Sequence, residues 1–323
     1  MRIAVTGASG FCGSYVARAA AAGGAEVLCV GRRPGPVGRH VFWDAAAGVP
    51  ELGGADLVVH CAAAVGDHPV GSLAEAGQYE VNVGGTGRLL VAAAGRPVVW
   101  VSSASVYSPR PGGAPVRESH PTVDGHLNGY GRSKALGERL ALDAGAVVLR
   151  PRAVYGVGDP HLVPRLLARV RGGVLALPGR DVALSLTAVE NLAQAALAAP
   201  GWPPGAYNVA DAVAYRRDEV VRRMLRAYGV RARIVHVPLA LARLARSAEL
   251  TPYALDQLAR SVVLDTGRAR AQGWVPRYGL ADHLAAVVRT AEGAPPPGAG
   301  GGGRGGGCAF GEVGKSNRRK NRN

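Results

Sequence analysis

Short apolar runs recur along the first half of the chain and predict the strands of a parallel sheet. The runs are nearly continuous and do not alternate with polar residues, as expected for strands covered on both faces. Stretches with helical spacing separate them, which predicts repeated strand–helix–strand units and a doubly wound α/β fold. The predicted strands are 2–5, 26–30, 56–60, 98–102 and 146–150, and the clearest predicted helix runs from 130 to about 144.

A glycine-rich turn joins the first predicted strand to the first helix. It reads Thr6-Gly7-Ala8-Ser9-Gly10-Phe11-Cys12-Gly13. A helix N-terminus offers unpaired N–H groups and partial positive charge, and glycine lets a pyrophosphate approach the backbone closely. The turn therefore predicts a Rossmann site with the dinucleotide on Gly7, Ser9, Gly10, Phe11 and Gly13; a tight turn without a ligand is the alternative.

Changes in pattern along the chain predict three regions. Residues 1–170 carry the strand–helix repeats and are expected to form the dinucleotide-binding domain. Residues 171–292 mix helices and short strands with Pro/Gly turns, and they predict a smaller substrate lobe, part of which returns to the sheet. Residues 293–323 form a glycine-rich, basic tail that has too few apolar residues for a core and is expected to be flexible.

The formal charge of +15 favours anionic ligands, including nucleotides. Only three of the 38 basic residues are lysines, so much of the charge reflects an arginine-rich composition. We find no aromatic-and-basic stripe and no recognition-helix pattern, and we therefore predict no specific nucleic-acid binding.

Other features bear on the cell compartment and on metals. Apolar runs shorter than about 18 residues predict no membrane span. Met-Arg leads directly into a strand, which predicts no signal peptide and a cytoplasmic protein. The four cysteines form no CxxC pair, so free thiols are expected and no metal site is predicted.

The end of the second predicted strand indicates the cofactor. In an NAD site an acidic residue binds the ribose 2′-hydroxyl here, but this chain reads Gly31-Arg32-Arg33. Two guanidiniums suit bidentate contact with a phosphate, so we predict NADP(H), with NAD(H) still open. An ordinary exposed arginine pair is the alternative. Asp44 follows the next apolar run, at a position from which it could reach the adenine amino group.

Tyr130 and Lys134 provide the main catalytic signal. Positions four apart share one helix face. A phenol with a pKa near 10 is a poor acid–base group at neutral pH, and a nearby ammonium favours its ionised form. Lys134 is also the only lysine before residue 315. Hydroxyl groups follow the strand 98–102, where one could donate to a substrate carbonyl beside the tyrosine. A chance pair on a surface helix is the alternative.

Taken together, these motifs resemble the extended branch of the short-chain dehydrogenase/reductase superfamily, also called the NAD-dependent epimerase/dehydratase family. The resemblance covers roughly residues 1–290. Further segments that resemble the family are 56–63, 82–86, 150–159 and 264–276.

The resemblance implies residue roles. Ser103 takes the position of the catalytic serine, and Tyr130 becomes the general acid/base. Lys134 would bind the ribose hydroxyls and tune Tyr130. Ala62 and Asn82 would lie along the cofactor. Helices around 72–94 and 130–144 could pair two subunits, as in relatives.

The chain also departs from the family pattern. Ala104 and Ser105 stand where 4,6-dehydratases carry an Asp-Glu pair, so water elimination is not expected. Ser108 replaces the usual glycine, and the loop 108–127 is expected to line the substrate site. Three arginines could contact a diphosphate or lie exposed on the surface, namely Arg150, Arg165 and Arg180.

Three functional hypotheses follow. The first is an NADP(H)-dependent oxidoreductase that reduces a ketone or aldehyde, with Tyr130 as general acid/base; a nucleotide-sugar 4-ketoreductase is one version. The second is a nucleotide-sugar epimerase, which regenerates its cofactor in each cycle. The third is a non-catalytic dinucleotide sensor, which an intact set of Ser103, Tyr130 and Lys134 disfavours.

Overall fold

A seven-stranded parallel sheet lies at the centre of the protein in the computed structural model, which describes residues 1–108, 114–244 and 251–291. In chain order the strands are β1 Arg2–Thr6, β2 Glu26–Gly31, β3 Arg39–Phe42, β4 Leu57–His60, β5 Val98–Val101, β6 Val147–Pro151, β7 Val154–Tyr155, β8 Val174–Pro178, β9 Ala183–Leu184, β10 Thr187–Ala188, β11 Gly205–Val209, β12 Tyr215–Arg216 and β13 Arg233–Val237.

The order of strands across the sheet is β11-β6-β5-β4-β1-β2-β3, and each neighbouring pair is parallel. From β1 the chain moves outward through β2 to β3, then returns to β4 on the other side of β1. The direction of winding therefore reverses between β1 and β4. In open α/β sheets, ligands bind at the carboxyl ends of the strands at such a reversal.

Helices cover both faces of this sheet. In chain order they are α1 Phe11–Ala22, α2 Leu73–Tyr79, α3 Gly85–Ala93, α4 Gly129–Asp143, α5 Leu162–Ala168, α6 Val189–Ala198, α7 Arg217–Ala227, α8 Leu239–Leu244, α9 Pro252–Ala259, α10 Gly267–Arg270 and α11 Leu280–Ala291. Helix α1 packs against α6, and α3 packs against α4. A π-helical segment, Glu80–Gly84, joins α2 to α3.

The burial of β1 explains why its sequence is continuously apolar. Ile3 and Val5 belong to one core layer, whereas Ala4 belongs to the layer on the opposite face. Successive strand residues point to opposite faces, so a strand with helices on both sides needs apolar residues at every position. The predicted doubly wound α/β fold is confirmed.

The predicted strands 2–5, 26–30, 56–60, 98–102 and 146–150 are all present, each within one residue of its predicted ends. The predicted helix at 130–144 is α4. Two strands of the large sheet were not predicted, β3 and β11. Both lie at its edges. Each contains polar residues or glycine, which interrupt the continuous apolar run that marks the central strands, although β11 is itself largely buried.

Residues after β6 add three small two-stranded sheets, which pair β7 with β10, β8 with β13 and β9 with β12. The strand β11 returns to the edge of the large sheet beside β6. Among the residues described, no helix is long and apolar enough to cross a membrane. The tail 293–323, expected to be flexible, lies outside the described residues.

Candidate active site

The glycine turn lies between β1 and α1 and packs closely on the chain after β4. Gly7 has φ of +65°, and a Cβ there would lie 2.8 Å from the backbone N and Cα of Ala62. A Cβ at Gly13 would lie 2.3 Å from the carbonyl oxygen of Gly7. Both positions therefore exclude a side chain unless the backbone shifts. The turn brings the first N–H groups of α1 to the carboxyl end of β1, where a pyrophosphate binds in this fold.

The other predicted residues of this turn differ in their surroundings. Gly10 is the N-cap of α1, and its N–H donates to the carbonyl oxygen of Gly7 at 2.9 Å. Ser9 is exposed. The ring of Phe11 packs edge-on against Tyr15, with 5.7 Å between centroids. Ser9 is thus on the solvent-exposed side of the turn. Phe11 packs against Tyr15 in the next turn of α1.

Ala62 and Asn82 help to build the other wall of the cleft. The Ala62 N–H donates to Thr6 Oγ1 at 3.2 Å, which ties the chain after β4 to β1. The Asn82 amide accepts from Ala64 N at 2.8 Å and donates to Ala64 O and Ser133 Oγ, both at 3.0 Å. Asn82 is buried, so it fastens the segment after β4 to α4. Their contacts with a cofactor remain predictions.

The two arginines after β2 are exposed. Within the described ranges neither Arg32 nor Arg33 has a hydrogen-bond or ion-pair partner. A Cβ on Gly31 would lie 3.8 Å from Gly7 N, so this position faces the glycine turn and carries no carboxylate. Asp44 follows β3, and its Oδ1 accepts from Ala46 N at 3.0 Å. The guanidiniums are therefore available to a phosphate at the second strand.

Four hydroxyl groups, which we call the hydroxyl chain, lie in a row at the carboxyl end of β5. Tyr130 lies beside Ser103, whose hydroxyl opposes the rise in the pKa of the buried phenol. Ser103 Oγ donates to Ser105 Oγ at 3.0 Å, and Ser105 Oγ pairs with the hydroxyl of Tyr253 at 2.6 Å. Ser103 caps the 3₁₀ turn Ala104–Val106, and Tyr130 lies in the first turn of α4. The fold therefore brings the two predicted hydroxyls together at the end of β5.

Lys134 is buried one helical turn after Tyr130 in α4. Its Nζ donates to Val101 O at 2.7 Å and lies 3.5 Å from the centroid of the Trp100 ring. Burial lowers the pKa of Lys134 to about 7, although the Glu138 carboxylate opposes the change. Burial thus removes most of the water around the ammonium. The carbonyl oxygen of Val101 and the ring of Trp100 are the contacts that replace it.

The structure corrects the expected electrostatics of Tyr130. The sequence predicts that Lys134 lowers the pKa of the phenol. Instead, burial raises the pKa of Tyr130, and Tyr253 and Cys12 raise it further, while the hydrogen bond from Ser103 opposes the rise. Lys134 turns its Nζ to Val101 and Trp100, and burial of the phenol dominates. Tyr130 is therefore held in its neutral, proton-donating form at neutral pH.

The sequence offers two interpretations of Arg150, contact with a diphosphate or an exposed surface position. The structure shows neither, because the side chain is buried inside the fold. It is buried between β6 and α4, where Nη2 pairs with Glu138 Oε1 at 2.5 Å. Its Nη1 donates to the hydroxyl of Tyr107 at 3.0 Å. The guanidinium is thus used inside the fold. Arg165 and Arg180 are both exposed.

Three residues of this region were given no role at the site by the sequence analysis: Ser105, Tyr253 and Asp67. Thr251-Pro252 is a recognisable helix start, and it could have located α9. It could not have shown that α9 lies against Ser105, 148 positions earlier. The loop 108–127 is described except for residues 109–113, and its role at the substrate site remains a prediction. Among described residues, no group of three or more His, Cys, Asp or Glu could hold a metal ion.

Comparison with known proteins identifies the family. Residues 3–210 match the family model described as "NAD dependent epimerase/dehydratase family", and the chain belongs to this family of NAD(P)-dependent, extended short-chain dehydrogenase/reductase enzymes. A 2-alkyl-3-oxoalkanoate reductase of Shewanella oneidensis is 32% identical over 55% of this chain and 51% of that protein. One of Stenotrophomonas maltophilia is 31% identical over 71% and 76%, respectively. The chain spans about half the length of the Shewanella relative.

Solved structures show the same fold. MoeE5 in complex with UDP-glucuronic acid and NAD is 27% identical, with a TM-score of 0.72 over 91% of this chain and 100% of its own. The UDP-glucose 4-epimerase of Thermus thermophilus, in complex with NAD, is 25% identical, with a TM-score of 0.69 over 91% and 100%. The family and fold predicted from the sequence are confirmed.

Proposed function

We propose that the protein is an NADP(H)-dependent oxidoreductase that reduces a ketone or aldehyde. The observation that carries this proposal is that Ser103 and the buried phenol of Tyr130 lie together at the carboxyl end of the sheet, where the Ser103 hydroxyl opposes the rise in the pKa of Tyr130. A polarising hydroxyl beside a neutral phenol is the arrangement that protonation of a carbonyl oxygen requires. Arg32 and Arg33 favour NADP(H), whose reduced form supports net reduction.

The cleft fits a dinucleotide. The glycine positions 7 and 13 leave no room for a Cβ, because the backbone of Ala62 and of Gly7 packs on them, and this fixes the turn beside the first turn of α1, where a pyrophosphate would bind. Arg32 and Arg33 would hold the 2′-phosphate, and Lys134 would hold the ribose hydroxyls. When bound, the reduced nicotinamide supplies a hydride to the carbonyl carbon.

The proton chemistry belongs to the chain's own residues. The Ser103 hydroxyl donates a hydrogen bond to the carbonyl oxygen and stabilises the negative charge that develops there. Tyr130 transfers its phenolic proton to that oxygen. The raised pKa of Tyr130 keeps this proton on the phenol before the reaction, which suits the reductive direction. The backbone oxygen of Val101 fixes the ammonium of Lys134 in the same region.

The preferred substrate class is a 3-oxo acid or a related ketone. Two relatives are named 2-alkyl-3-oxoalkanoate reductases, and a Stigmatella aurantiaca relative, 27% identical over 78% of its length, is named as a ketoreductase of a quinoline oxide. Ala104 and Ser105 supply no acid–base pair for dehydration, which leaves carbonyl reduction as the simplest reaction for this hydroxyl set.

Nucleotide-sugar epimerisation is the second candidate. It is favoured by the likeness to MoeE5 and to the Thermus epimerase, both solved with NAD. An epimerase would use NAD(H) or NADP(H) without net consumption.

The test mixes the protein with NADPH and, separately, with a 2-alkyl-3-oxo acid, simple ketones and a UDP-sugar. Stoichiometric loss of the reduced-nicotinamide absorbance with a carbonyl compound supports the reductase. Isomerisation of the UDP-sugar without net cofactor change supports the epimerase. Binding of NADPH with neither reaction would leave a dinucleotide sensor.

We also propose that residues 171–292 form the substrate lobe and that two copies pair through α2, α3 and α4. Large apolar side chains are exposed on these helices, with Leu73 at 94%, Val91 at 71% and Leu136 at 43%. Sedimentation of the protein and of Leu136→Glu tests the pairing: a dimer that becomes monomeric is the expected result. A wild-type monomer contradicts it.

A further inference from the structure

One carboxylate binds the first turns of two helices that are far apart in the sequence. Asn128 is the N-cap of α4, and its Nδ2 donates to Asp67 Oδ1 at 3.1 Å while its Oδ1 accepts from Gly131 N at 2.9 Å. Thr251 is the N-cap of α9. Its hydroxyl donates to Asp67 Oδ2 and accepts from Ala254 N at 3.0 Å. Asp67 therefore holds both N-caps together.

These two helices carry the two phenols at the ends of the hydroxyl chain. Tyr130 lies two residues after the α4 N-cap, and Tyr253 lies two residues after the α9 N-cap. Between the phenols lie Ser103 and Ser105, joined at 3.0 Å. A shift of either helix would lengthen the chain at one of its ends. The distance between the two helix starts is thus tied to the geometry at Ser103.

Tyr253 makes its hydrogen bond to the hydroxyl chain through Ser105. Their oxygens are 2.6 Å apart, and the Ser105 N–H also donates to Ser103 Oγ at 3.1 Å. A hydrogen bond at one end of such a chain polarises and orients the next one. In the structure Ser103 Oγ donates to Ser105 Oγ, and a hydroxyl has only one proton to donate. When Tyr253 donates to Ser105, the Ser105 proton can turn to Ser103, and the Ser103 proton is then directed to Tyr130 or to a substrate oxygen.

We propose that Asp67 is a positioning residue for the catalytic hydroxyls: by binding the N-caps of α4 and α9 together, it holds Tyr253 on Ser105 and so directs the Ser103 donor. This inference rests on the proposed roles of Ser103 and Tyr130. Asp67 stands in the segment between β4 and α2, outside the Tyr-x-x-x-Lys pattern, and it acts through the two helices rather than on the reacting atoms.

The test uses the full chain with four variants and two controls. Asp67→Ala removes the shared carboxylate, and Tyr253→Phe removes one hydroxyl while the ring stays. Thr251→Val breaks the contact with Asp67, whereas Thr251→Ser keeps it. Asp143→Ala, at an exposed acid on the last turn of α4, is the control for the carboxylate. Tyr278→Phe, at a lobe tyrosine that is 40% exposed, is the control for the hydroxyl.

Hydrogen exchange of the whole protein provides the first readout. We expect Asp67→Ala and Thr251→Val to speed exchange of the backbone amides in the first turns of both α4 and α9, by about tenfold, since each loses a hydrogen bond at a helix start. Thr251→Ser and Asp143→Ala should leave exchange unchanged. Unchanged exchange in Asp67→Ala would overturn the proposal, and this readout does not depend on catalysis.

Turnover with NADPH and a carbonyl substrate provides the second readout. We expect Asp67→Ala and Tyr253→Phe each to lower kcat by roughly three- to tenfold, the loss typical of one hydrogen bond, with KM nearly constant. The double variant should lose no more than the larger single effect, since both act through Ser105. Losses that multiply in the double variant would contradict the proposal. If the wild type reduces no carbonyl, the proposed function fails, and hydrogen exchange still decides whether Asp67 binds the two helices.

Discussion

The ammonium of Lys134 lies 3.5 Å from the centroid of the Trp100 ring. The aromatic face and the carbonyl of Val101 replace only part of the water that the ion loses on burial. Attraction between a desolvated cation and an indole contributes about 2 kcal/mol, less than the hydration that is lost. This imbalance is why the pKa of Lys134 falls to about 7. Burial therefore makes the charged form of Lys134 unfavourable, and this is the position at which the family resemblance implies a catalytic lysine.

We expect Lys134→Met to stabilise the protein, because Met fills similar space without a charge. Lys134 titrates near 7 when folded and near its ordinary 10.5 when unfolded, so the unfolded chain binds more protons between these values. The stability of the wild type should therefore rise with pH across this window. The gain from the substitution should be several degrees in Tm at pH 6 and smaller at pH 9. Thermal unfolding at both values provides the measurement, and an equal or larger gain at pH 9 would contradict the assigned titration.

The same residue predicts the pH dependence of catalysis. Tyr130 stays protonated across the neutral range because burial raises its pKa, so its own ionisation should not limit reduction there. Lys134 loses its charge as the pH rises through its pKa of about 7. If the ammonium holds the cofactor ribose, kcat/KM for NADPH should fall above that value, since this parameter reports the free enzyme. A profile that stays flat from pH 6 to 9 would count against a catalytic ammonium.

Much of the fold could be predicted from the sequence because its central strands are buried on both faces. Continuous apolar runs identify such strands, and glycines at 7 and 13 follow from close backbone contacts that no side chain tolerates. The edge strands β3 and β11 were not predicted, because polar residues or glycine interrupt their apolar runs, even though β11 is largely buried. Local patterns therefore predict the sheet's centre better than its edges.

From spacing alone, the site was predictable only where its residues are close in sequence, and Ser103 was placed there by the family resemblance. Tyr130 and Lys134 lie one helical turn apart, and the motif is visible in a single segment. Tyr253 meets Ser105 across 148 positions, and Thr251 meets Asp67 across 184. The pKa of Tyr130 was predicted in the wrong direction, because desolvation depends on what packs around the ring. Neither kind of information is contained in local spacing.

Tyr130→Phe tests the assigned proton donor. The substitution removes one hydroxyl and keeps the ring, so the helix start and the cleft should be preserved. We expect turnover to fall by about 10²–10⁴-fold, the usual contribution of a general acid, with affinity for NADPH nearly unchanged. Single-turnover kinetics and cofactor titration measure the two effects. The matched control is Tyr278→Phe, and unchanged turnover in Tyr130→Phe would remove Tyr130 from the mechanism.

Gly13→Ala tests the contact between the first helix and the turn. Its Cβ would lie 2.3 Å from the carbonyl oxygen of Gly7, which forces a backbone shift. We expect a loss of about 1–3 kcal/mol in the free energy of unfolding and a marked loss of dinucleotide affinity. Gly87→Ala on α3 is the control: nothing lies within 4 Å of a Cβ there. This control should gain up to about 1 kcal/mol, since alanine favours a helix. Equal effects of both substitutions would contradict the close packing at Gly13.

The cofactor preference is tested at the end of β2. Arg32→Ala combined with Arg33→Ala removes the two guanidiniums proposed to bind the 2′-phosphate. Charge-assisted hydrogen bonds contribute about 1.5–3 kcal/mol, so NADPH affinity should fall by roughly 10- to 150-fold. The affinity for NADH should change little, because it lacks that phosphate. Titration of both cofactors measures the difference. The control that matches the loss of charge is Arg139→Ala with Arg233→Ala, at two exposed positions away from the glycine turn.

A third substitution in the same variant should reverse the preference. Gly31→Asp places a carboxylate where a Cβ is 3.8 Å from Gly7 N, an ordinary contact distance, so the side chain can be accommodated. With both arginines replaced by alanine, the new carboxylate can accept hydrogen bonds from the ribose hydroxyls and repel a 2′-phosphate. NADH should then bind more tightly than NADPH. If the arginine substitutions weaken both cofactors equally and Gly31→Asp restores neither, the guanidiniums stabilise the fold around β2 and do not select the cofactor.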